Sequence, residues 1–387
     1  MSVVGKAVIA GAFEHPLRDI PHLTAAQIHA EVALGAVADA GLTLADVDGF
    51  FCANDAPGLG ALSMAEYLGL TQLSYLDSSD MGGASYVSQV GHAASAIAAG
   101  KCSVALITLA GRPRQELPVG SRPRPAPESE FELPYGPNTV AYYALAAQRY
   151  MYEFGATSEQ LAAVKVTASQ HAQHNPHAFL REPVTVEDVV NSRLVSDPLH
   201  LLDCCVVTDG GGAPVVVSPD VARTLARTGV QVLGHGEATK NSNLGRIDLT
   251  HTGAVWSGPR AFEEAGVTPA DIDYASIYDS FTITVVETVE DLGFCDKGKG
   301  AAFVADGALL APDGRLPWNT DGGGLCNNHP SNRGGMTKVI EAVRQLRNEA
   351  HPAVQVRDPR IALVHGTGGS LATRMGSSTL ILGAEDA

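Results

Sequence analysis

The chain reads as an α/β protein made of one unit used twice, and three observations carry that reading. The phrase "AGLTLADVD" at residues 40–48 returns as "AGVTPADID" at residues 265–273. Two buried-type strands ending in glycine, "KCSVALITLAG" (101–111) and "PRIALVHGTGG" (359–369), each follow a helix opened by a glycine turn. Forty-one glycines against ten phenylalanines and two tryptophans suit tightly packed helix and sheet layers. Fixed-period similarity of this kind is the mark of internal duplication. The halves are placed at residues 1–220 and 221–387, with an insertion over about residues 112–211 in the first.

In chain order, "GKAVIAGAF" (5–13) reads as a first strand. "TAAQIHAEVALGAVADA" (24–40) carries apolar residues at helical spacing and stops at Gly41, a C-cap signal. A turn then leads into the short apolar strand ending at Cys52. "DMGGASYVSQVGHAASAIAAG" (80–100) reads as a glycine turn opening a buried helix. Residues 112–137 hold seven prolines and are expected to form a loop. "AYYALAAQRYMYEFG" (141–155) and "TSEQLAAVKVTASQHAQ" (157–173) read as helices, the second opened by a Thr157/Ser158 cap. "GAPVVVSP" (212–219) closes the first half as a strand. In the second half, "SIYDSFTITVVETVEDLGF" (276–294) ends a strand at Tyr278 and runs into a helix.

Composition narrows function. The formal charge is −16, which argues against nucleic acid or an anionic membrane as the main partner. Cys52, Cys102, Cys204, Cys205, Cys295 and Cys326 form no C-x-x-C pair, so reduced thiols in a cytoplasmic protein are expected. The start lacks a basic n-region, and no apolar run approaches the roughly 18 residues of a membrane span.

Most candidate motifs have a plain structural reading. His171, His174 and His177 lie three apart, but Pro176 breaks their helix, so they are read as exposed loop histidines and no metal site is expected. Cys204 and Cys205, in an apolar run, are read as core. The glycine clusters at 321–326 and 366–376 lack dinucleotide or Walker spacing; they mark places where backbone approaches a ligand closely. The richest stretch is "NTDGGGLCNNHPSNRGG" (319–335), where His329 stands among glycines with little apolar bulk around it. That is poor core and good pocket. Tyr278 sits at a strand's C-terminal edge, the usual site position in α/β sheets.

"YDSF" (278–281), "HPSNRGG" (329–335) and "HGTGG" (365–369), in that order and spacing, resemble the three C-terminal active-site blocks of the thiolase superfamily. In thiolases these are an Asn-Glu-Ala-Phe-type block, a Gly-His-Pro block and a Cys-x-Gly-Gly-Gly block. The resemblance runs over nearly the whole chain. Residues 141–164 and 175–205 are similar to the sterol-carrier/lipid-transfer branch in particular. It implies a thiolase-like, duplicated five-layer αβαβα fold.

The same resemblance implies that the usual nucleophilic cysteine falls on Gly83 and the second cysteine on His365, while His329 keeps its place and Tyr278 replaces an Asn. Glycine forms no acyl-enzyme. Ser85, two positions further into the helix, should point elsewhere than a nucleophile would. The pattern is similar to that of steroid side-chain aldolases, which lack the cysteine and cleave a β-hydroxyacyl-CoA by retro-aldol reaction. It implies Tyr278 as base, Asp279 orienting its loop, His329 donating to the thioester oxygen and His365 supplying the α-proton. Gly83, Ser85, Asn327, Asn328, Gly368 and Gly369 are the substrate-contact candidates. Those aldolases use a second tyrosine just before the His-Pro pair, where this chain has Asn327-Asn328.

No cofactor is expected beyond the CoA thioester itself, and any zinc would belong to a small zinc-ribbon/OB-fold partner. A homodimer is implied. Arg112, Arg114, Arg122 and Arg124 are the nearest thing to a CoA phosphate cluster. Two rival functions stay open: a thiolase or acyltransferase using a displaced thiol, with Cys326 nearest in sequence to His329, and a non-catalytic acyl-CoA or lipid carrier.

Overall fold

A computed structural model of the chain describes residues 2–53, 56–116, 129–136, 138–241, 243, 246–330, 334–371 and 374–385. The first half contains strands β1 (Val8–Glu14), β2 (Gly49–Cys52), β3 (Tyr75–Ser78), β4 (Val104–Ile107) and β5 (Leu109–Gly111), with helices α1 (Ala25–Asp39), α2 (Ala61–Leu68) and α3 (Ser85–Ala98). The insertion adds α4 (Ser129–Glu132), α5 (Thr139–Phe154), α6 (Ser158–Ala172), α7 (Val186–Val190) and a small hairpin of β6 (Leu194–Ser196) and β7 (Leu199–His200). Next come β8 (Gly210–Val217) and α8 (Pro219–Ala222). The second half holds β9 (Val230–Lys240), α9 (Ala254–Ala265), β10 (Tyr274–Ile277), α10 (Thr282–Asp291), α11 (Gly300–Ala305), α12 (Gly323–Cys326), α13 (Gly335–Leu346), β11 (Ile361–Gly368) and β12 (Met375–Gly383).

The two copies of the repeated phrase make the same local structure for the same reason. Thr43 donates its backbone N–H to Asp46 Oδ2 at 2.8 Å, and Thr268 does so to Asp271 Oδ2 at 2.8 Å, closing a single 3-10 turn in each copy. Two residues on, Asp48 accepts the backbone N–H groups of Ser103 and Val104, and Asp273 accepts those of Arg360 and Ile361. Each aspartate therefore pins the start of the strand parallel to its own: β4 beside β2, and β11 beside β10.

The strands run in the order β10-β11-β12-β9-β1-β8-β4-β2-β3, and the halves join where Val8 and Ile9 pair with Gln231 and Val230. Helices α3 and α13 touch each other and strands of both halves, which makes them a central layer. Outside it, α1 covers β1 and β8, α2 covers β2 and β3, and α9 covers β9 and β12. Three buried apolar clusters fill the spaces between these layers. Together they form the thiolase-like α/β architecture.

Local signals match where capping is local. Thr24 caps α1 in a reciprocal box with Gln27, Thr157 does the same with Gln160 on α6, and Gly155 closes α5 in the left-handed region at φ +70°. Two expectations need correction. The proline-rich segment is not loop throughout: α4 forms within it, and Glu132 holds Arg374 through two 2.9 Å contacts. Arg122 and Arg124 lie outside the described residues. His171 is not an exposed loop residue either. It sits buried near the end of α6, where its Nε2 accepts the Ala311 N–H at 2.9 Å, while His174 stacks on His351 and His177 is exposed. Among the described residues, no group of three or more His, Cys, Asp or Glu side chains could hold a metal, and no helix is long and apolar enough to cross a membrane.

Candidate active site

The site forms where β10, β11 and the openings of α3 and α13 converge. Tyr278 follows β10 directly, and its N–H donates to the His365 carbonyl at 2.9 Å, so the ring projects from the sheet's C-terminal edge. Its Oη lies 2.7 Å from His329 Nε2. His329 is held by its own N–H, which donates to Thr208 Oγ1 at 2.8 Å. Asp279, fully buried, accepts the N–H groups of Gly324 and Leu325 at 2.8 and 3.1 Å and pairs with Lys338 Nζ at 2.8 Å. The carboxylate thus clamps the glycine-rich turn that leads to His329.

Burial pushes the His329 imidazole down to about 4; Asp279 works against that shift and Lys338 with it. The ring is neutral at neutral pH, with one hydrogen for two nitrogens. Burial also opposes the charge on Lys338, but Asp279 and Asp321 hold its ammonium above the ordinary range. Asp279 and Lys338 therefore form a buried, compensated ion pair behind Tyr278 and the neutral His329.

Gly83 stands at the centre. A Cβ built there would lie 2.2 Å from the Thr367 carbonyl oxygen and 2.6 Å from Cε2 and Cζ of Tyr278. Apolar atoms in contact rest at about 3.5–4.0 Å. The tyrosine ring occupies the space any side chain at position 83 would need. A cavity of about 380 Å³ opens from this point, with Gly83, Tyr278, His329, Gly368 and Gly369 at its base and Tyr143, Leu201 and Phe281 on its walls.

Several assigned residues do not reach this cavity. His365 faces the opposite side of β11: its Nδ1 pairs with Thr379 Oγ1 at 2.8 Å, and Thr379 Oγ1 lies 2.9 Å from Ser257 Oγ on α9. Burial pushes its imidazole down to about 3. Side chains alternate across a strand, so the site-facing position is the next one. Gly366, followed by Thr367-Gly368-Gly369, fits the Cys-x-Gly-Gly pattern better, and a Cβ there would touch Ala84 at 2.9 Å and the Gly83 carbonyl at 3.1 Å. Ser85 uses its hydroxyl on its own turn, donating to Gly82 O and accepting the Met81 N–H.

Asn327 and Asn328 are structural. Asn327 binds Arg18 and Asp321, and Asn328 binds Glu14 and Thr208, all in buried contacts of 2.8–2.9 Å. Cys204 and Cys205 are not core but half-buried on the cavity wall, because the segment after β7 pairs with the Ser280-Phe281 turn. Gly83, Tyr278, His329, Gly368 and Gly369 come together as expected. Lys338, Thr208 and Tyr143 were not singled out in the sequence. A lysine within the apolar helix "MTKVIEAV" is the one signal that could have marked Lys338.

A duplicated α/β sheet with paired central helices and a Tyr–His site at their openings defines a thiolase-fold enzyme. The Thiolase C-terminal domain-like family model matches residues 236–384. An acetyl-CoA acetyltransferase of Methanothermobacter thermautotrophicus is 36% identical, covering 89% of this chain and 92% of that protein. A steroid side-chain-cleaving aldolase of Thermomonospora curvata is 35% identical over the full length of both. The solved Ltp2-ChsH2(DUF35) aldolase superposes with a TM-score of 0.90 at 34% identity, covering 99% of each chain. The chain belongs to the thiolase superfamily, on the branch that holds the steroid side-chain-cleaving aldolases. It is an enzyme of lyase type on that fold.

Proposed function

We propose that the protein cleaves the Cα–Cβ bond of a β-hydroxyacyl-CoA by a non-covalent retro-aldol reaction. Tyr278 Oη takes the β-hydroxyl proton as its own proton passes to His329 Nε2. The Cα–Cβ electron pair moves onto the thioester as an enolate, and the β-carbon leaves as a ketone or aldehyde. The imidazolium formed at His329 then stands beside the enolate oxygen at the moment that oxygen becomes anionic. Stabilisation that arises with the charge lowers the barrier without tightening ground-state binding. Burial opposes a lasting charge on His329, so the proton is released again.

The observation that carries this reading is the exclusion at Gly83: with the Tyr278 ring 2.6 Å from its built Cβ, a nucleophile at that position has no room. A displaced thiol gains little support. Cys326 is buried against Lys165 Nζ at 3.2 Å, outside the cavity, and burial raises its thiol. The apolar cavity suits a bulky acyl group, a steroid side chain among the candidates.

The reading includes a homodimer and a small zinc-ribbon/OB-fold partner; the likeness to the solved Ltp2-ChsH2(DUF35) aldolase supports a partner protein. Val195, Leu201 and Val207, exposed residues that line the cavity, give such a partner an apolar landing. The test is cleavage of β-hydroxyacyl-CoA substrates without added CoA, with intact-mass analysis of the enzyme during turnover. Aldol cleavage releases an acyl-CoA such as propionyl- or acetyl-CoA and leaves the protein mass unchanged. An acyl adduct on any cysteine, or a strict requirement for free CoA, refutes it. Binding without turnover favours the carrier.

A further inference from the structure

Retro-aldol cleavage leaves an enolate whose α-carbon must be protonated, and His365 faces away from it. Resting on the proposed reaction, we infer that Tyr143 is the acid that delivers this proton. Tyr143 belongs to α5 of the insertion, not to either repeated half. It is buried, lines the same cavity as Gly83, Tyr278 and His329, and packs its ring against Phe281 at a tilt of 31° with centroids 4.3 Å apart. Its hydroxyl lies 3.4 Å from the Gly369 carbonyl, a long contact that leaves the hydrogen lightly held, and it also meets the Ser280 hydroxyl.

The other ionisable groups on the cavity wall are worse placed. Arg193 is exposed, not buried at the cavity base. Cys204 points its thiol at the His200 carbonyl. Tyr278 and His329 are already occupied with the hydroxyl proton. Cys205 remains as a competitor, with a thiol that burial pushes up. Tyr143 differs from it in having a hydroxyl hydrogen held only by the long contact to the Gly369 carbonyl and by Ser280. Burial pushes the Tyr143 phenol up to about 12, so it is protonated at neutral pH and available as a donor.

The step balances. Cα takes the Tyr143 proton, the enolate pair re-forms the thioester carbonyl, and Tyr143 is left as phenolate. The phenolate regains a proton from solvent in the cavity, and the Tyr278–His329 pair releases its own there. Overall, the substrate's hydroxyl hydrogen is exchanged for one on Cα.

Run on the product side, this step requires the enzyme to exchange the α-hydrogens of a plain acyl-CoA with D2O, with no ketone present. The test uses the protein isolated with whatever partner copurifies, with acetyl-CoA and propionyl-CoA as probes and mass spectrometry as readout. Tyr143→Phe keeps the ring on Phe281 and is expected to bind propionyl-CoA within about twofold of wild type. Its exchange rate should fall by about 10²-fold or more, as for loss of a general acid. Cys205→Ala should retain both cleavage and exchange. Exchange in Tyr143→Phe within about threefold of wild type overturns the assignment and leaves the aldolase reading intact. So does loss of exchange in Cys205→Ala alone. No exchange by the wild type on either thioester overturns the assignment, while the cleavage assay decides the aldolase reading separately.

Discussion

Replacing Gly83 by alanine adds one methyl group and tests the arrangement on which the mechanism depends. The new Cβ would start 2.6 Å from two ring atoms of Tyr278 and 2.2 Å from the Thr367 carbonyl oxygen. Ordinary contact is about 3.5–4.0 Å, so the ring must retreat by about 1 Å. Thr367 cannot yield as easily, because it lies in β11 and is paired there with Ser377. Overpacking of this kind costs about 1–3 kcal/mol, and the backbone oxygen places this site toward the upper end. That is a fall of several degrees in Tm. The larger effect falls on catalysis, since a displacement of about 1 Å at a reacting group costs about 10²-fold. Thermal unfolding and turnover of a β-hydroxyacyl-CoA read the two effects separately. A Gly83→Ala enzyme with wild-type Tm and turnover would show that the Tyr278 ring does not fill this space, and the case against a nucleophile there would collapse.

Four further outcomes are expected. Gly83→Cys combined with Tyr278→Asn removes the ring but not the Thr367 oxygen, so no acyl-enzyme should form; a thioester adduct on residue 83 by intact mass would contradict this. Lys338→Met leaves the Asp279 carboxylate buried without its partner and should cost about 3–5 kcal/mol in urea unfolding, whereas a loss below about 1 kcal/mol would mean the pair is not compensating. His29, His171, His329 and His365 are all pushed below their ordinary value of 6.5 by burial, the first three to about 4 and His365 to about 3. The unfolded chain therefore takes up more protons, and stability present above pH 6.5 is lost as pH falls toward 4, by up to about 3 kcal/mol per group; burial raises Glu341 and opposes part of this, and urea midpoints flat from pH 7 to 5 would count against it. Asp48→Ala and Asp273→Ala each remove a carboxylate holding two backbone N–H groups, and should cost similar amounts, about 1–3 kcal/mol; a large effect in only one would break the equivalence of the halves.

The duplication was legible because its determinants are local. Thr43 with Asp46, and Thr268 with Asp271, are turns written within four residues, and the aspartates two positions on act at a fixed place in each copy. The Tyr278–His329 pair was legible as two blocks in a known order, though its 2.7 Å contact was not. What failed depended on facing or on distant partners. Leu363 packs among the outer cluster and Val364 in the central one, so His365 turns outward with Leu363, and a shift of one residue exchanges faces. Asn327 and Asn328 looked like pocket residues because no local partner explains them. Their partners Glu14 and Arg18 lie more than 300 residues away in sequence. Cys204 and Cys205 read as core on composition alone, yet the cavity they border is made by a turn from the other half.

The departures from the thiolase pattern are physically one change rather than several. A side chain at 83 and the tyrosine ring at 278 contend for one volume, so with the phenol in place the chain presents no sulfur at this point. Once the phenol is present, its hydroxyl needs a proton acceptor, and His329 at 2.7 Å is neutral enough to serve because burial has lowered it. That neutrality requires the nearby Asp279 charge, which would raise the imidazole, to be compensated. Lys338 does this at 2.8 Å. The glycine, the tyrosine, the neutral histidine and the buried ion pair therefore depend on each other in sequence. Taking a proton from a hydroxyl is the chemistry this set supports, and capturing an acyl group is the chemistry it gives up.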